Sequence, residues 1–409
     1  MKKILALLLA LCMVFAFAAC GSEPAAESDA PSESTAPAAE SEAPATGDNV
    51  ISIGVFEPLT GASGAGGRQE YLGMQYAQSL RPTVTIDGVE YTIEFVEGDN
   101  ASSADEAPSA ATTLISAGVS VVLGTYGSSA AIAAAPYFDD AQIPAIGVTC
   151  TNPRVTEGNE YYFRTCFIDP FQGSVLAAYA YNELGARHVY CLGESGNDYD
   201  AGVINYFKEA FTAMGGTVTE GNFPENNSDF TSYINTAVSE SADAMLTPVS
   251  IQYSTQIIAQ AASLNLEMPI LGSDTVDSNA VLEAIQGTSL SLYVTTFYNE
   301  GGDPDFDAGF KEFINSNSTN LENNGGNDTI AAVSVMGFDA YNVALDAIER
   351  AQSTSPADIY EALKETNSDG VTGNIQFDEN GDAMRDLAYI KIADTENNTW
   401  INGGSQTVE

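Results

Sequence analysis

Basic residues and histidine are scarce in this sequence. Its 409 residues include 13 lysines and arginines and one histidine, against 56 aspartates and glutamates, which gives a formal net charge of −43. Nucleic-acid binding needs basic patches that contact phosphate, and none is present. The same charge disfavours adsorption to anionic lipid. The negative net charge favours solubility but does not identify a binding partner.

Motifs for catalysis, structural zinc or nucleotide binding are also missing. The single histidine, His188, starts a strand, which is the wrong end for a site in an open sheet, so Ser-His and Cys-His pairs are absent. No G-x-S-x-G or C-x-x-C motif occurs. The loop "GASGAGG", 61–67, lacks the lysine and spacing of phosphate-binding loops, although its N–H groups can still meet a ligand. We therefore expect no enzyme, no metal and no cofactor.

Cysteine is rare too, with five in the chain. Cys12 and Cys20 fall in the N-terminal segment, and Cys150, Cys166 and Cys191 remain in the body. An odd number in an exported chain leaves at least one free thiol. The alternative for all three is a small buried hydrophobic side chain, and any pairing among them stays open.

The N-terminal segment "MKKILALLLALCMVFAFAAC" is typical of an export signal. Two lysines precede an apolar run, and small residues precede Cys20. The ending resembles a bacterial lipobox, with Phe17 where leucine is commoner. We predict a signal peptide over 1–19 and lipid on Cys20, which would anchor the protein outside the cytoplasm. The alternative is a plain secretory signal.

Residues 20–49 are predicted to be a tether between the lipid and the folded body. Alanine, serine, proline and acidic residues dominate this stretch, and it lacks aromatic and β-branched aliphatic side chains. Such a composition cannot form a core. A coil of this length has an end-to-end distance of roughly 30 Å.

The remaining chain contains two series of alternating strands and helices, and its length favours two domains. Short apolar strands such as "VISIGVF", 50–56, indicate mostly parallel sheets covered on both faces. Asp87-Gly88 predicts a hairpin. A second series begins at Phe171. We therefore predict an α/β fold, in which ligands bind beyond the carboxyl ends of the strands.

Small polar groups follow several of these strand ends. Ser128 opens a helix after "GTYG", and the run "TCTN", 149–152, follows the next strand. Serine hydroxyls and free helix N–H groups suit a carboxylate. Asp274 ends a strand of the second series, so the two ends together suit a zwitterion. Helix N-capping explains each of these residues equally well when it is taken alone.

Ordered motifs across the body resemble the branched-chain amino acid (Leu/Ile/Val) binding-protein family, the type I periplasmic substrate-binding proteins of ABC transporters. They are "IGVFEPLTGASGAGG", "VVLGTYGSSAAIAAAPYFDDAQIPAIGVTCTNPRVT", "YYFRTCFIDPFQG", "ILGSDT", "MGFDAYNVALDAIERA" and "GVTGNIQFDENGD". The resemblance implies two Rossmann-like lobes joined by three hinge crossings, near Thr165, Tyr298 and Val371. Lobe 1 would comprise 50–165 and 298–371, and lobe 2 would comprise 166–297 and 372–409.

The resemblance also implies a set of ligand contacts. The ligand carboxylate would meet Ser128 and Thr151, and an acid of the other lobe, here Asp274, would pair with the ammonium. The other implied ligand contacts are Thr149, Cys150 and Tyr199. Three departures affect side-chain specificity: the acid is usually Glu, the family has an aromatic residue near Gly66, and a second cleft tyrosine falls near Ser250 or Ile251.

The function implied is delivery of an amino acid to an ABC permease by a lipid-anchored, monomeric binding protein. Family relatives also bind amides, urea and aromatic acids, so the sequence leaves the particular ligand open. The alternative of a different class is an extracellular sensor that reports the ligand to a signalling partner.

Overall fold

The computed structural model describes residues 49–407. The predicted signal peptide, the predicted lipid site Cys20 and the predicted tether up to residue 48 lie outside the described residues. The strands are β1 Val50–Glu57, β2 Thr83–Ile86, β3 Val89–Asp99, β4 Val121–Leu123, β5 Ala145–Gly147, β6 Tyr162–Arg164, β7 His188–Glu194, β8 Thr217–Phe223, β9 Ala244–Leu246, β10 Ile270–Gly272, β11 Leu292–Thr296, β12 Asn367–Gly370, β13 Gly373–Gln376, β14 Ala388–Asp394 and β15 Thr399–Gln406.

Twelve α-helices lie among the same residues. They are α1 Gly64–Leu80, α2 Ala107–Ser116, α3 Ser128–Ala141, α4 Asp169–Ala178, α5 Asp198–Ala213, α6 Thr231–Ser239, α7 Ile251–Ser263, α8 Asn279–Ile285, α9 Pro304–Asn315, α10 Ser318–Asn323, α11 Ala332–Ala351 and α12 Pro356–Leu363. None of the helices in this part of the chain is both long enough and apolar enough to cross a membrane.

The first sheet has the order β2-β3-β1-β4-β5-β6. All neighbours run parallel except β2, which is antiparallel to β3. Strands β4 and β5 are buried at every residue, as expected for a parallel sheet with helices on both faces. The predicted hairpin is confirmed, with φ of 49° at Asp87 and 80° at Gly88.

The second sheet has the order β15-β14-β11-β10-β9-β7-β8. Strands β7 to β11 pair in parallel, and the late strands β14 and β15 extend the sheet in antiparallel fashion. The chain thus forms two α/β lobes, which confirms the predicted fold class. The first lobe contains the first sheet and the second lobe contains the second sheet. The exact boundaries near Thr165, Tyr298 and Val371 stay predictions.

Two helices of the first lobe pack at very close range. A Cβ added to Gly73 of α1 would lie 2.6 Å from the carbonyl carbon of Ser334 in α11. A Cβ at Gly337 of α11 would lie 3.0 Å from the carbonyl carbon of Glu70 in α1. Only glycine permits this backbone contact, and it fixes the turn of α1 that carries Glu70.

The three cysteines of the body are all buried and unpaired. Cys150 packs in an apolar cluster with Phe138 and Tyr162. The structure therefore answers the open question of pairing in favour of small buried side chains.

Candidate functional site

Groups from both lobes surround one small cavity at the carboxyl ends of the strands. It has a volume of about 50 Å³, and its lining includes Tyr126, Ser128 and Ser129 of the first lobe. Tyr199, Ser250 and Thr275 of the second lobe complete its wall. The cleft is closed here, because the Tyr126 hydroxyl donates to the Thr275 carbonyl at 3.3 Å and Ser129 Oγ accepts from the Asp198 N–H at 3.0 Å.

Helix α3 points its N-terminus at this cavity. Its first residue is Ser128, and the first N–H groups of any helix have no partner within the helix. No side chain caps α3, and the Ser128 hydroxyl accepts a hydrogen bond from the Asn152 N–H at 3.2 Å instead. These free N–H groups lie at the positive end of the helix dipole, so the N-terminus of α3 is suited to bind a carboxylate.

Asp274 lies across the cleft from α3, directly after β10, and is 2% exposed. Its Oδ1 accepts hydrogen bonds from the Tyr199 hydroxyl at 2.6 Å and from the Gln172 amide. Its Oδ2 is buried and has no partner. Burial raises the pKa of Asp274 to about 7. The free oxygen is therefore available to a donor, and an ammonium group would favour its ionised form.

The loop from Thr149 to Asn152 is held from behind by Arg164. This side chain is fully buried in β6 and donates to the carbonyl oxygens of Cys150 at 3.0 Å and Asn152 at 2.6 Å. Its Nε also donates to Asp382 at 2.6 Å. The Cys150 carbonyl and thiol are thus both engaged inside the first lobe. Between the two anchored carbonyls, the Thr151 hydroxyl is buried without a partner.

Thr149 reaches a pair of buried carboxyl groups that sequence reasoning missed. Its hydroxyl donates to Glu70, which lies beside Glu57, and both carboxyl side chains are inaccessible to solvent. Burial raises the pKa of Glu70 to about 8. Burial, and then the charge of Glu70, raise that of Glu57 well above its usual value. Glu57 also accepts from the Tyr126 N–H at 2.9 Å.

A fourth buried carboxyl group, Asp169, opens α4 and has no partner on either oxygen. Burial raises its pKa to about 7. Among residues 49–407, neither Asp169 nor the other three buried acids takes part in an ion pair. These four acids therefore have no direct ion-pair partner, although the buried Arg164 acts on Asp169 by lowering its pKa against the larger effect of burial.

The ring of Tyr126 fills the space beside Gly66. A Cβ at Gly66 would lie 2.6 Å from Cζ of this ring, so no larger residue fits there. An aromatic wall is thus present, although it comes from the loop after β4 and not from the loop after β1. Burial raises the pKa of the Tyr126 phenol well above its usual value, and the negative charges of Asp274 and Glu70 raise it further.

Of the predicted site residues, Ser128 and Tyr199 line the cavity, and Asp274 contacts the Tyr199 hydroxyl. Thr151 is buried in the loop after β5, and Thr149 reaches Glu70. The acids missed from the sequence, Glu57 and Glu70, carried a signal: Glu57 is the last residue of β1, at the same kind of strand end. A larger cavity of about 420 Å³ lies elsewhere, between Asn299 and Trp400, and its lining contains none of the predicted site residues. No group of side chains suited to a metal ion is found among the described residues.

Two α/β lobes that turn polar groups towards a shared cleft define a ligand-binding protein of the two-lobed type. The sequence matches the model of a family described as periplasmic binding protein over residues 50–397, and the chain belongs to this family. It is a solute-binding protein related to those of ABC transporters, and family membership places it outside the cytoplasm.

Individual relatives agree with this assignment. An amino acid binding protein of Pseudomonas aeruginosa is 32% identical over 40% of this chain, although the match spans only 44% of that relative. A Leu/Ile/Val-binding protein homolog of Brucella melitensis is 25% identical over 81% of this chain and 88% of its own length.

Solved structures show the same fold. A leucine-binding protein LivK of Thermotoga maritima superposes with a TM-score of 0.77 at 32% identity, over 87% of this chain and 99% of that one. A solute-binding protein of an ABC transporter from Rhodopseudomonas palustris, solved with 3,4-dihydroxybenzoic acid, has a TM-score of 0.76 at 22% identity, over 88% and 98% of the two chains.

Proposed function

We propose that this protein captures an amino acid zwitterion in the interlobe cleft and delivers it to an ABC permease. The observation that carries the proposal is the unpartnered Oδ2 of Asp274, buried beside a cavity that also receives the N-terminus of α3. An ammonium would complete Asp274, and a carboxylate would complete the helix N–H groups and the Thr151 hydroxyl. Charge-assisted hydrogen bonds of this kind contribute about 1.5–3 kcal/mol each.

A benzoate fits this arrangement less well than an amino acid. It carries a carboxylate for α3 but has no ammonium for Asp274. The benzoate carboxylate and the buried Asp274 would both be negatively charged and unpaired, so bringing them together would raise the free energy of the complex. The relative solved with a dihydroxybenzoate shares the fold, and the chemistry of this cleft favours a zwitterion.

The proposed role includes a lipid on Cys20, a tether over residues 20–49 and no catalytic turnover. Opening and closing of the lobes would convert ligand occupancy into a shape that a permease recognises. Replacement of Cys20 by serine should shift the protein from the membrane fraction to the medium or block its processing. If the Cys20→Ser protein is processed normally and stays in the membrane fraction, a lipid on Cys20 is not what anchors the protein.

A thermal-shift screen of the purified protein tests the ligand class. The twenty common amino acids and a set of benzoates would each be added at millimolar concentration. A ligand that binds only the folded protein raises Tm by mass action, so one class of amino acids should do so. If the benzoates raise Tm and no zwitterion does, the proposed function is wrong.

A further inference from the structure

Polar side chains line most of the cleft cavity. Of the described residues that line it, only Pro58, Ala130, a glycine and two tyrosine rings are apolar, and the rest carry hydroxyl, amide or carboxyl groups. Small-molecule sites are usually lined mainly by hydrophobic side chains, with a few polar groups that orient the ligand. This cavity therefore offers little apolar surface to an aliphatic side chain, and its volume of about 50 Å³ favours a short side chain over a long one.

Most of these polar groups already have partners inside the protein. The Asn100 amide donates to the Thr125 hydroxyl at 2.9 Å, and the Ser102 hydroxyl donates to a backbone carbonyl at 2.8 Å. The side-chain oxygen of Asn197 accepts N–H groups in the first turn of α5. These groups shape the wall of the cavity, and their hydrogen bonds are spent within the protein.

Two polar atoms of the lining have no partner. They are the hydroxyl oxygen of Ser250 and Oδ1 of Asp200, and both are buried. Asp200 is 1% exposed, and its other oxygen accepts from the Glu194 N–H at 2.7 Å. Buried polar atoms are normally paired in native proteins, so these two atoms indicate a ligand that supplies hydrogen-bonding groups to this wall.

The fold places both residues on the second lobe, after neighbouring strands. Asp200 is in the first turn of α5, which follows β7, and Ser250 precedes α7, which follows β9. Strands β7 and β9 pair in parallel, so their carboxyl ends lie side by side at the edge of the sheet where ligands bind. Ser250 makes no side-chain cap to α7, so its hydroxyl remains available to a ligand.

A neutral ligand group fits these two atoms better than a cation. Burial raises the pKa of Asp200 well above its usual value, and the charge of Glu194 also acts to raise it. A protonated carboxyl needs no positive partner. It can donate a hydrogen bond or accept one, and the hydroxyl of Ser250 can do the same.

We propose that the ligand is an amino acid whose short side chain ends in a neutral hydrogen-bonding group, a hydroxyl or a primary amide, which is held by Ser250 and Asp200. The inference rests on the proposed function, because it specifies the side chain of the amino acid bound in the same cleft. It assigns the ligand to the class of serine, threonine and asparagine and excludes the branched aliphatic amino acids as the preferred class.

Calorimetric titration of the purified protein with two matched pairs of ligands tests the inference. L-Asparagine and L-leucine have side chains of the same branching and the same number of heavy atoms, and L-threonine differs from L-valine by a hydroxyl in place of a methyl group. The polar member of at least one pair should bind about tenfold or more tightly than its apolar partner, because an aliphatic group would leave buried polar atoms unpaired. L-2,4-Diaminobutyrate, which ends in an ammonium, would be titrated beside them.

The variant Ser250→Ala removes the free hydroxyl. It should lower the affinity for the preferred polar ligand about tenfold and leave that for its apolar partner unchanged. The Tm of the unliganded variant should stay close to that of the unmodified protein, because the hydroxyl makes no hydrogen bond. Ser355→Ala is the matched control, because Ser355 also precedes a helix, α12, without capping it, and it should leave every affinity unchanged.

The outcomes separate the two proposals. If leucine and valine bind at least as tightly as asparagine and threonine, or if diaminobutyrate binds most tightly, the side-chain assignment is wrong and the amino acid function stands. If Ser250→Ala weakens both members of a pair equally, Ser250 acts through the shape of the cleft and the inference fails. If no zwitterion binds in the thermal-shift screen, the proposed function fails, and the inference falls with it.

Discussion

The ring of Tyr126 occupies the space that any side chain at position 66 would need. A Cβ at Gly66 would lie 2.6 Å from Cζ of Tyr126, well inside van der Waals contact. The glycine is therefore required by the tyrosine, and the two positions act as one unit in walling the cleft. This relationship explains why an aromatic residue expected near position 66 is replaced by the smallest one.

Replacing Gly66 by alanine should destabilise the protein through this contact. We expect the free energy of unfolding to fall by about 1–3 kcal/mol, the usual cost of overpacking a rigid site. Denaturant unfolding of Gly66→Ala measures it. In the background of Tyr126→Ala the same substitution should cost much less, and an equal cost in both backgrounds would show that the ring is not the obstacle.

The sequence predicted the structure best where the local pattern of residues agrees with their burial in the fold. Short apolar strands predicted parallel sheets, and the strand-end rule located Ser128, Thr151 and Asp274 near one cleft. The same rule applies to Glu57 at the end of β1, but a single acid before a glycine-rich loop does not show from sequence alone that it is buried. Glu70 could not be recognised, because one acid in a helix usually faces solvent.

Other parts of the fold depend on tertiary context. Strands β6, β12 and β15 and helices α8 and α10 were not predicted, because they are short or exposed and their pairing partners lie elsewhere in the chain. The substitution of Tyr126 for an aromatic at position 66 also needs three-dimensional information, since the two residues are 60 positions apart in the sequence. The aromatic wall is therefore a property of the fold and not of one motif.

The Thr151 hydroxyl should matter for the ligand and not for the fold. It makes no hydrogen bond of ordinary length and only lowers the pKa of the neighbouring Asp169, so Thr151→Val should change the stability of the unliganded protein by no more than about 1 kcal/mol. Ligand affinity should fall roughly tenfold or more. Thr366→Val is the control, because this hydroxyl is also buried without a hydrogen bond but lies between α12 and β12, and not in the loop that follows β5. Equal affinities for the two variants would remove Thr151 from the site.

Asp274 should carry the largest single contribution to head-group binding. Asp274→Asn keeps the shape of the residue and removes the charge that an ammonium needs, so affinity should fall about 30-fold or more. Calorimetry with the amino acid that gives the strongest thermal shift measures the effect. Asp140→Asn, on the exposed side of α3, should bind like the unmodified protein. An unchanged affinity for Asp274→Asn would place the ammonium elsewhere.

Tyr199→Phe should give a smaller loss of affinity than Asp274→Asn. The hydroxyl of Tyr199 donates to Oδ1 of Asp274 and lowers the pKa of this carboxyl against the larger effect of burial. Without it, a larger fraction of Asp274 is protonated at neutral pH. Affinity should therefore recover as the pH is raised from 7 to 9, whereas Asp274→Asn should show no such recovery. A loss that is independent of pH would mean that Tyr199 acts by contact with the ligand alone.

The buried acids should make the unliganded protein less stable as the pH rises. Burial raises the pKa of Glu70 to about 8 and those of Asp169 and Asp274 to about 7. In the unfolded chain the same groups titrate near pH 4. Between these values the folded protein holds protons that the unfolded chain has released, so the free energy of unfolding decreases with increasing pH.

Thermal unfolding between pH 5 and pH 8 measures this dependence. Each proton held by the folded protein alone contributes about 1.4 kcal/mol per pH unit, and the decline should continue through the pKa of Glu70 at about 8. Carboxyls with lowered pKa, such as Asp99, act in the opposite direction but only below about pH 4, outside the window. Glu70→Gln should flatten the decline of Tm, and the exposed Glu94→Gln should retain it. A slope for Glu70→Gln equal to that of the control would show that Glu70 is already ionised at pH 5.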